Sequence, residues 1–300
     1  MTWTSQQVSY QVGSEKIRGS LYLPERKDTG PLPCVVLGHG WGMVAGGDLE
    51  DYAKAIVARG IAALTFDYRN LGKSEGLPRQ HLDPNRQIED FRAAVSFVRS
   101  LPEIDGMRIG IWGSSYGGGH ALSVAAMDSR IACVVSQVPT ISGWRAAMGR
   151  MTPKAWDEQW KAFIADREGV FAGADWTIQK TVSADPAEPV SYPDSASHDY
   201  MTVQRKRCPE WKNFTTLASI ELARHYEPGA YLYRITRTPV LMIIANHDIT
   251  TPHRLQREAF AALQTTKKLL EVEGGHYTVY QEHFDQTSKA AADWFEEHLG

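Results

Sequence analysis

The chain has 300 residues, 43% of them hydrophobic, with 32 basic and 35 acidic side chains and a formal net charge of −3. That apolar share can fill a large core, so one large domain with an insertion is expected, and the absence of a long basic stripe argues against nucleic acid as a partner. The start, Met1-Thr2-Trp3-Thr4-Ser5-Gln6, shows no basic or apolar targeting pattern and no apolar run is long enough to span a membrane, so a cytoplasmic protein without membrane contact is expected.

In chain order, residues 8–23 alternate loosely around Gly13-Ser14 and Gly19, which suits an antiparallel hairpin on the rim of a sheet. Short apolar runs rich in branched residues follow at 34–37, 61–66, 107–112, 131–135, 240–244 and 269–272, the pattern of strands covered on both faces. Helical spacing lies between them: Ile88, Phe91, Val95 and Val98 form one stripe, and Ala291, Phe295 and Leu299 another near the end. Strands that alternate with helices predict an α/β fold with a doubly wound, mostly parallel sheet. Cys34, Cys133 and Cys208 are odd in number and two sit in apolar runs, so they read as buried small hydrophobes rather than disulfide partners.

The alternation fails from 140 to 237. This stretch is expected to be a helical cap inserted into a core made of 1–139 and 238–300. It holds five of the nine tryptophans: Trp144, Trp156, Trp160, Trp176 and Trp211. Trp156, Trp160, Phe163 and Ile164 fall on one helical face, while residues 183–199, rich in Pro, Ser, Asp and Ala, read as an irregular connection. An aromatic underside of such a cap would form a substrate pocket, with Trp41, Trp144, Trp156 and Trp160 as candidate lining.

The chemistry centres on Gly113-Ser114-Ser115-Tyr116-Gly117, a G-x-S-x-G pentapeptide between an apolar run and a small-residue stretch. In this motif a strand turns so sharply into a helix that the central serine is strained and its hydroxyl presented; glycines two before and two after avoid a clash of Cβ with backbone. Ser115 is therefore the candidate nucleophile. A serine needs a base, an acid to orient the base, and donors for the oxyanion. Asp248 follows the apolar run 240–244 and His276 follows the run 269–272 after Gly274-Gly275, so the order is Ser115, Asp248, His276. Thr250-Thr251-Pro252, next along, could cap a new helix. His39-Gly40-Trp41-Gly42 follows the first parallel strand, and the backbone N–H groups of Trp41 and Tyr116 are the candidate oxyanion donors.

Together these elements resemble the α/β-hydrolase superfamily over nearly the whole chain. A further mark is Asp67-Tyr68-Arg69-Asn70-Leu71-Gly72-Lys73-Ser74, similar to the superfamily's D-x-R-G-x-G-x-S segment except that Asn70 stands where glycine is usual. The 33–42 strand and loop, the elbow and the long insertion look most like the branch of dienelactone hydrolases, esterases and X-Pro dipeptidyl peptidases. The resemblance implies a histidine after the last strand, which favours His276 over His247 and His253. It also implies a structural role for Asp67. Thr140, after the sixth strand, offers no carboxylate at the other known site for the acid. Dienelactone hydrolases proper use cysteine and are shorter, so their substrate does not transfer.

Other chemistries fail on spacing. Asp67 occupies the place of the first glycine of a phosphate loop ending Gly72-Lys73-Ser74, residues 38–43 miss the third glycine of a dinucleotide fingerprint, and no H-E-x-x-H or paired C-x-x-C occurs. No cofactor and no metal is expected. The reading is a serine hydrolase that cleaves an ester, lactone or thioester of a moderately hydrophobic organic substrate. C–C bond hydrolysis, acyl transfer and peptide cleavage use the same triad, and a non-catalytic ligand receptor on the same fold is the alternative of another class. The expected partner is a small-molecule substrate, with a homodimer as the candidate assembly.

Overall fold

The computed structural model describes residues 2–25, 30–185 and 187–300. It opens with an antiparallel hairpin of β1 (Trp3–Val12) and β2 (Glu15–Pro24), paired from Val12↔Glu15 outward. The α/β alternation follows as β3 (Leu32–Gly38), α1 (Asp48–Val57), β4 (Ala62–Asp67), α2 (Pro84–Arg99), β5 (Ile104–Ser114), α3 (Tyr116–Met127) and β6 (Cys133–Gln137). Between β6 and the next sheet strand lie α4 (Gly143–Met148), α5 (Pro153–Phe171), β7 (Ile178–Gln179), α6 (Ser195–Arg207), β8 (Thr215–Thr216) and α7 (Leu217–Arg224). The chain closes with β9 (Val240–Ala245), α8 (His253–Ala262), β10 (Lys267–Val272) and α9 (Phe284–Leu299).

Eight strands form one sheet in the order β1-β2-β4-β3-β5-β6-β9-β10, and every pairing from β4 to β10 is parallel. The sequence dictates this layering. In β3, β4, β6 and β9 every residue is buried, as short strands of mainly branched and small side chains are when both faces are covered. Period-two alternation then sorts them. Cys34 and Val36 join the core with Phe66, Phe91, Val95 and Leu255, under α2, α3 and α8, whereas Val35 and Leu37 pack with Tyr52, Ile56, Trp112 and Phe295 under α1 and α9. Polar Thr4, Ser5 and Gln6 leave β1 an exposed edge, and Cys34, Cys133 and Cys208 are buried free thiols.

Two local expectations need correction. Residues 183–199 are not irregular throughout: the Asp194 side chain accepts the Ser197 amide at 2.8 Å and starts α6 at Ser195, which buries Tyr200 and Met201. On α5, Trp156 and Phe163 are buried but Ile164 lies outside that face, 48% exposed. No helix among the described residues is long and apolar enough to cross a membrane.

After β4 the chain makes the turn that the Asp67 segment marks. Asp67 accepts the amides of Ala45 at 2.6 Å and Lys73 at 2.8 Å, a structural role, and burial pushes its carboxyl up to about 6 against the pull of those donors. Asn70 adopts φ 70°, the left-handed region that glycine favours and asparagine tolerates, so the departure from glycine leaves the turn intact. Next to it Arg69, 5% exposed, pairs at 2.6 Å with fully buried Asp90. Replacing Arg69 with Met would strand that carboxylate. Urea denaturation is expected to show a loss of about 3–5 kcal/mol for Arg69→Met. Arg86→Met, which breaks the more exposed Arg86–Glu15 pair at 2.9 Å, should lose less than about 1 kcal/mol.

Candidate active site

Ser115 occupies the turn between β5 and α3 with φ 56° and ψ −118°, strained for a residue with a Cβ. Its neighbours explain how the turn closes. A Cβ on Gly113 would fall 2.0 Å from the Gly117 carbonyl oxygen, and one on Gly117 would fall 2.4 Å from that of His39. Only glycine permits either approach. The second contact also draws the loop after β3 over the serine, where a Cβ on Gly40 would lie 3.2 Å from Ser115 Cβ and 3.7 Å from its Oγ.

Asp248 and His276 arrive from the carboxyl ends of β9 and β10, where catalytic groups of such sheets gather. The two loops are pinned together: the Gly274 amide donates to Asn246 Oδ1 at 2.9 Å and the His247 amide to the Gly274 carbonyl at 2.9 Å, with Gly274 at φ 109°. His276 Nδ1 then donates to Asp248 Oδ2 at 2.7 Å, and Nε2 faces Ser115 Oγ at 3.0 Å. With the Nδ1 proton held by a carboxylate, Nε2 is left with a lone pair for the serine proton. The three side chains predicted to act together are thus brought together, and the imidazole is only 4% exposed.

The competing residues point elsewhere. His247 pairs with Glu273 at 3.0 Å on the surface, His253 Nδ1 lies 3.3 Å from the backbone carbonyl of Asp248, and the Ser114 hydroxyl contacts that of Tyr280 at 2.5 Å. The amides of Trp41 and Tyr116 have no acceptor among the described residues, and Tyr116 opens α3, so both are available to a developing oxyanion. No group of three or more His, Cys, Asp and Glu side chains among the described residues is arranged to hold a metal ion.

Thr251 is a part of the site that the sequence concealed. The Asp248 carboxylate is saturated: Oδ1 accepts the amides of Thr250 at 2.8 Å and Thr251 at 2.9 Å, and Oδ2 has the Thr251 hydroxyl at 2.8 Å besides the imidazole. Thr251 Oγ1 also lies 2.8 Å from the Val138 carbonyl, so its single proton serves one oxygen at a time, while Gln256 Nε2 donates to it at 3.0 Å. Thr250-Thr251 therefore clamps the acid, and α8 begins at His253 behind Pro252 without a side-chain cap. An aspartate with threonines two and three residues on is an Asx-turn signal, which would have marked the clamp.

Beneath the site are two neutral imidazoles. His39 Nδ1 donates to the Gly40 carbonyl at 3.0 Å, and burial pushes the ring's pKa down to about 4. His120, between the Tyr226 hydroxyl at 2.7 Å and Gln87 Oε1 at 2.9 Å, is pushed down by burial to about 3, with a smaller contribution from His39.

The cleft at Ser115 encloses about 590 Å³, part of it open to solvent, and its lining includes Trp41, Tyr192, Tyr200, Met201 and Tyr277. Trp41 is where it was expected. Trp144, Trp156 and Trp160 do not line this cleft: they pack on one another, with centroids 4.9 Å apart for Trp144–Trp156 and 6.3 Å for Trp156–Trp160. Broad rings spaced for one helical face satisfied each other first. The rings of Trp41 and Tyr116 meet edge to face at 5.1 Å and contact Tyr192 and Tyr226 instead of the tryptophans.

The model of the X-Pro dipeptidyl-peptidase (S15) family matches residues 13–278. The chain belongs to this family. With its eight-stranded, mostly parallel sheet it is an α/β-hydrolase, and the family lies within the branch that the motifs suggested. It is similar to the quorum-quenching protein AidA of Acinetobacter baumannii, 33% identical over 280 residues that cover 90% of this chain and 88% of the relative. The thiohydrolase aneE of Aspergillus aculeatus is 30% identical over 260 residues, covering 85% and 80%. Among solved structures, DcsB in complex with its substrate analogue matches with a TM-score of 0.87 at 25% identity and 99% coverage of both chains.

Two outcomes follow from the geometry. Thr251→Val is expected to lower kcat about tenfold, the worth of one hydrogen bond to a charged group. KM should change little and Thr251→Ser should restore most of the rate; steady-state kinetics on an activated ester reads all three. NMR of the histidine side chains should show two imidazoles, His39 and His120, still neutral at pH 5, and charging of either above pH 6 would contradict their burial.

Proposed function

We propose that the protein is a serine hydrolase acting on an ester, lactone or thioester of a moderately hydrophobic organic acid through an acyl-enzyme. The observation that carries this reading is the relay from Ser115 Oγ through His276, at 3.0 and 2.7 Å, to Asp248 beside an aromatic cleft. Ser115 Oγ attacks the carbonyl carbon while His276 Nε2 takes its proton, and Asp248 stabilises the imidazolium. The amides of Trp41 and Tyr116 receive the oxyanion; loss of one such donor typically costs about 2.7–4 kcal/mol of transition-state stabilisation. Nε2 returns the proton to the departing alcohol or thiol. Water, deprotonated by the same nitrogen, then attacks the acyl-enzyme, releasing the acid and restoring the Ser115 hydroxyl.

Residues 140–237 serve in this reading as a cap, supported by Tyr192, Tyr200, Met201 and Gln204, which reach the cleft from that stretch. Acyl chemistry is favoured over dipeptide release despite the family's name. A peptide amine would need a carboxylate to pair with, and the cleft's one carboxylate among the described residues, Asp48, is already taken by Tyr200 at 2.6 Å, Gln204 at 3.0 Å and Arg207 at 2.7 Å. The thiohydrolase name of a relative supports including thioesters.

A fluorophosphonate probe is expected to label Ser115, read by mass spectrometry of the digest. Ser115→Ala and His276→Ala should each lower kcat on p-nitrophenyl butyrate roughly 10⁴-fold or more. An unlabelled Ser115, or full turnover by Ser115→Ala, overturns the reading.

A further inference from the structure

A second chamber lies across the Trp41–Tyr192 pair, whose rings meet edge to face at 6.5 Å. Trp41, Tyr192 and Thr250 line both this chamber and the cleft at Ser115. Tyr116 and Thr251, neighbours of the nucleophile and of Asp248 in the proposed site, line it too. It encloses about 580 Å³, part of it open to solvent.

Its charge is one-sided. Arg150 and Arg224 line it and no Asp or Glu does. Arg224 Nε and Nη2 donate to Gln159 Oε1 at 3.3 and 3.2 Å, Nη2 lies 3.8 Å from Met151 Sδ, and the guanidinium sits 5.8 Å over the Trp156 ring. Arg150 Nε donates to the Ala146 carbonyl at 3.1 Å. The carboxylates of neighbouring elements are engaged elsewhere: Glu258 with Arg145, Glu221 with Arg167, and Glu227 with the Ser142 hydroxyl. Neither guanidinium of the pair has a carboxylate within ion-pairing distance among the described residues. Burial, and next to it the like charge of Arg150, pushes Arg224 down to about 10. The Ser191 hydroxyl, also in the lining, is buried without a hydrogen-bond partner among the described residues. Arg224, partly desolvated and without a carboxylate, carries an electrostatic penalty that an anion would relieve, while exposed Arg150 adds a second positive charge at the mouth of the same space.

We propose that Arg150, Arg224 and Ser191 bind a carboxylate carried by the substrate, so that the enzyme prefers acyl compounds with a free acid some carbons from the scissile carbonyl, such as half-esters or half-thioesters of dicarboxylic acids. The proposal rests on Ser115 being an acyl-hydrolase nucleophile. The substrate spans the Trp41–Tyr192 partition, with its carbonyl at Ser115 and its acid between the arginines.

The test compares p-nitrophenyl monoesters of succinate, glutarate and adipate with the neutral butyrate. For at least one length kcat/KM should exceed that of butyrate about tenfold or more, the worth of a charge-assisted hydrogen bond. In Arg224→Met and Arg150→Met that ratio should fall roughly tenfold, mainly through KM, and Arg224→Lys should keep part of it. Arg150 is exposed, so its variant keeps the test open if Arg224→Met fails to fold. A wild-type ratio at or below one for all three lengths, or a ratio unchanged in both variants, overturns the proposal. Calorimetry on Ser115→Ala separates the two readings. Glutarate should bind and Arg150→Met in that background should lose it. Glutarate binding without turnover of any ester would sink the hydrolase reading and leave the anion site standing. No glutarate binding, or tighter binding of inorganic phosphate than of glutarate, defeats the carboxylate.

Discussion

The site depends on three backbones packed closer than any side chain allows. Gly113 meets Gly117, Gly117 meets His39, and Gly40 covers Ser115, each at a distance that an added Cβ would violate or crowd. This contact joins the end of β3, the end of β5 and the start of α3. It draws the loop that carries Trp41 over the turn that carries Tyr116, so two distant parts of the sequence meet beside the strained serine. The strain is sustained because buried strands on both sides leave the turn no other path.

Charge is handled by the same economy of space. Buried His39 and His120 are kept neutral by desolvation, so neither adds a cation beneath the elbow to compete with the imidazolium that the proposed mechanism creates at His276. Asp248 is held in place because the amides of Thr250 and Thr251 and the His276 imidazole engage both of its oxygens, with the Thr251 hydroxyl, shared with the Val138 carbonyl, beside them. A carboxylate so fully satisfied does not rotate, and the imidazole it holds has one orientation toward Ser115.

Much of this was legible in the sequence, for a physical reason. A parallel sheet draws short runs of branched residues, so its six strands are visible as runs at 34–37, 61–66, 107–112, 131–135, 240–244 and 269–272, although edge strand β10 keeps only Val272 buried. The elbow is visible because backbone contact admits only glycine at 113 and 117. His276 was separable from His247 and His253 by its place after the last strand, and the geometry has it facing both Ser115 and Asp248. What stayed hidden depends on tertiary context. The start of α6 rests on one cap, Asp194, followed by residues of low helix propensity whose reward is the burial of Tyr200 and Met201. The cleft's tyrosines, Tyr192, Tyr200 and Tyr277, have no shared period, because they converge from a loop, a helix and the residue after the histidine.

The tryptophans show how a sequence feature can bear on a site without lining it. Trp144, Trp156 and Trp160 stack on one another away from Ser115, yet the Trp156 ring lies under the Arg224 guanidinium, and Gln159, one turn along α5, accepts two of its N–H groups. The guanidinium is thus held by the Trp156 ring and the Gln159 amide, with no carboxylate among the described residues to quench it. Were Gln159 a glutamate, the same geometry would make a half-buried ion pair, and the Arg224 charge would be spent on the scaffold. An amide orients Arg224 while leaving its charge available. In the proposed anion site, α5 therefore acts through Arg224: its aromatic face fixes where the charge sits, and the Trp41–Tyr192 partition fixes how far that charge stands from the acyl carbon.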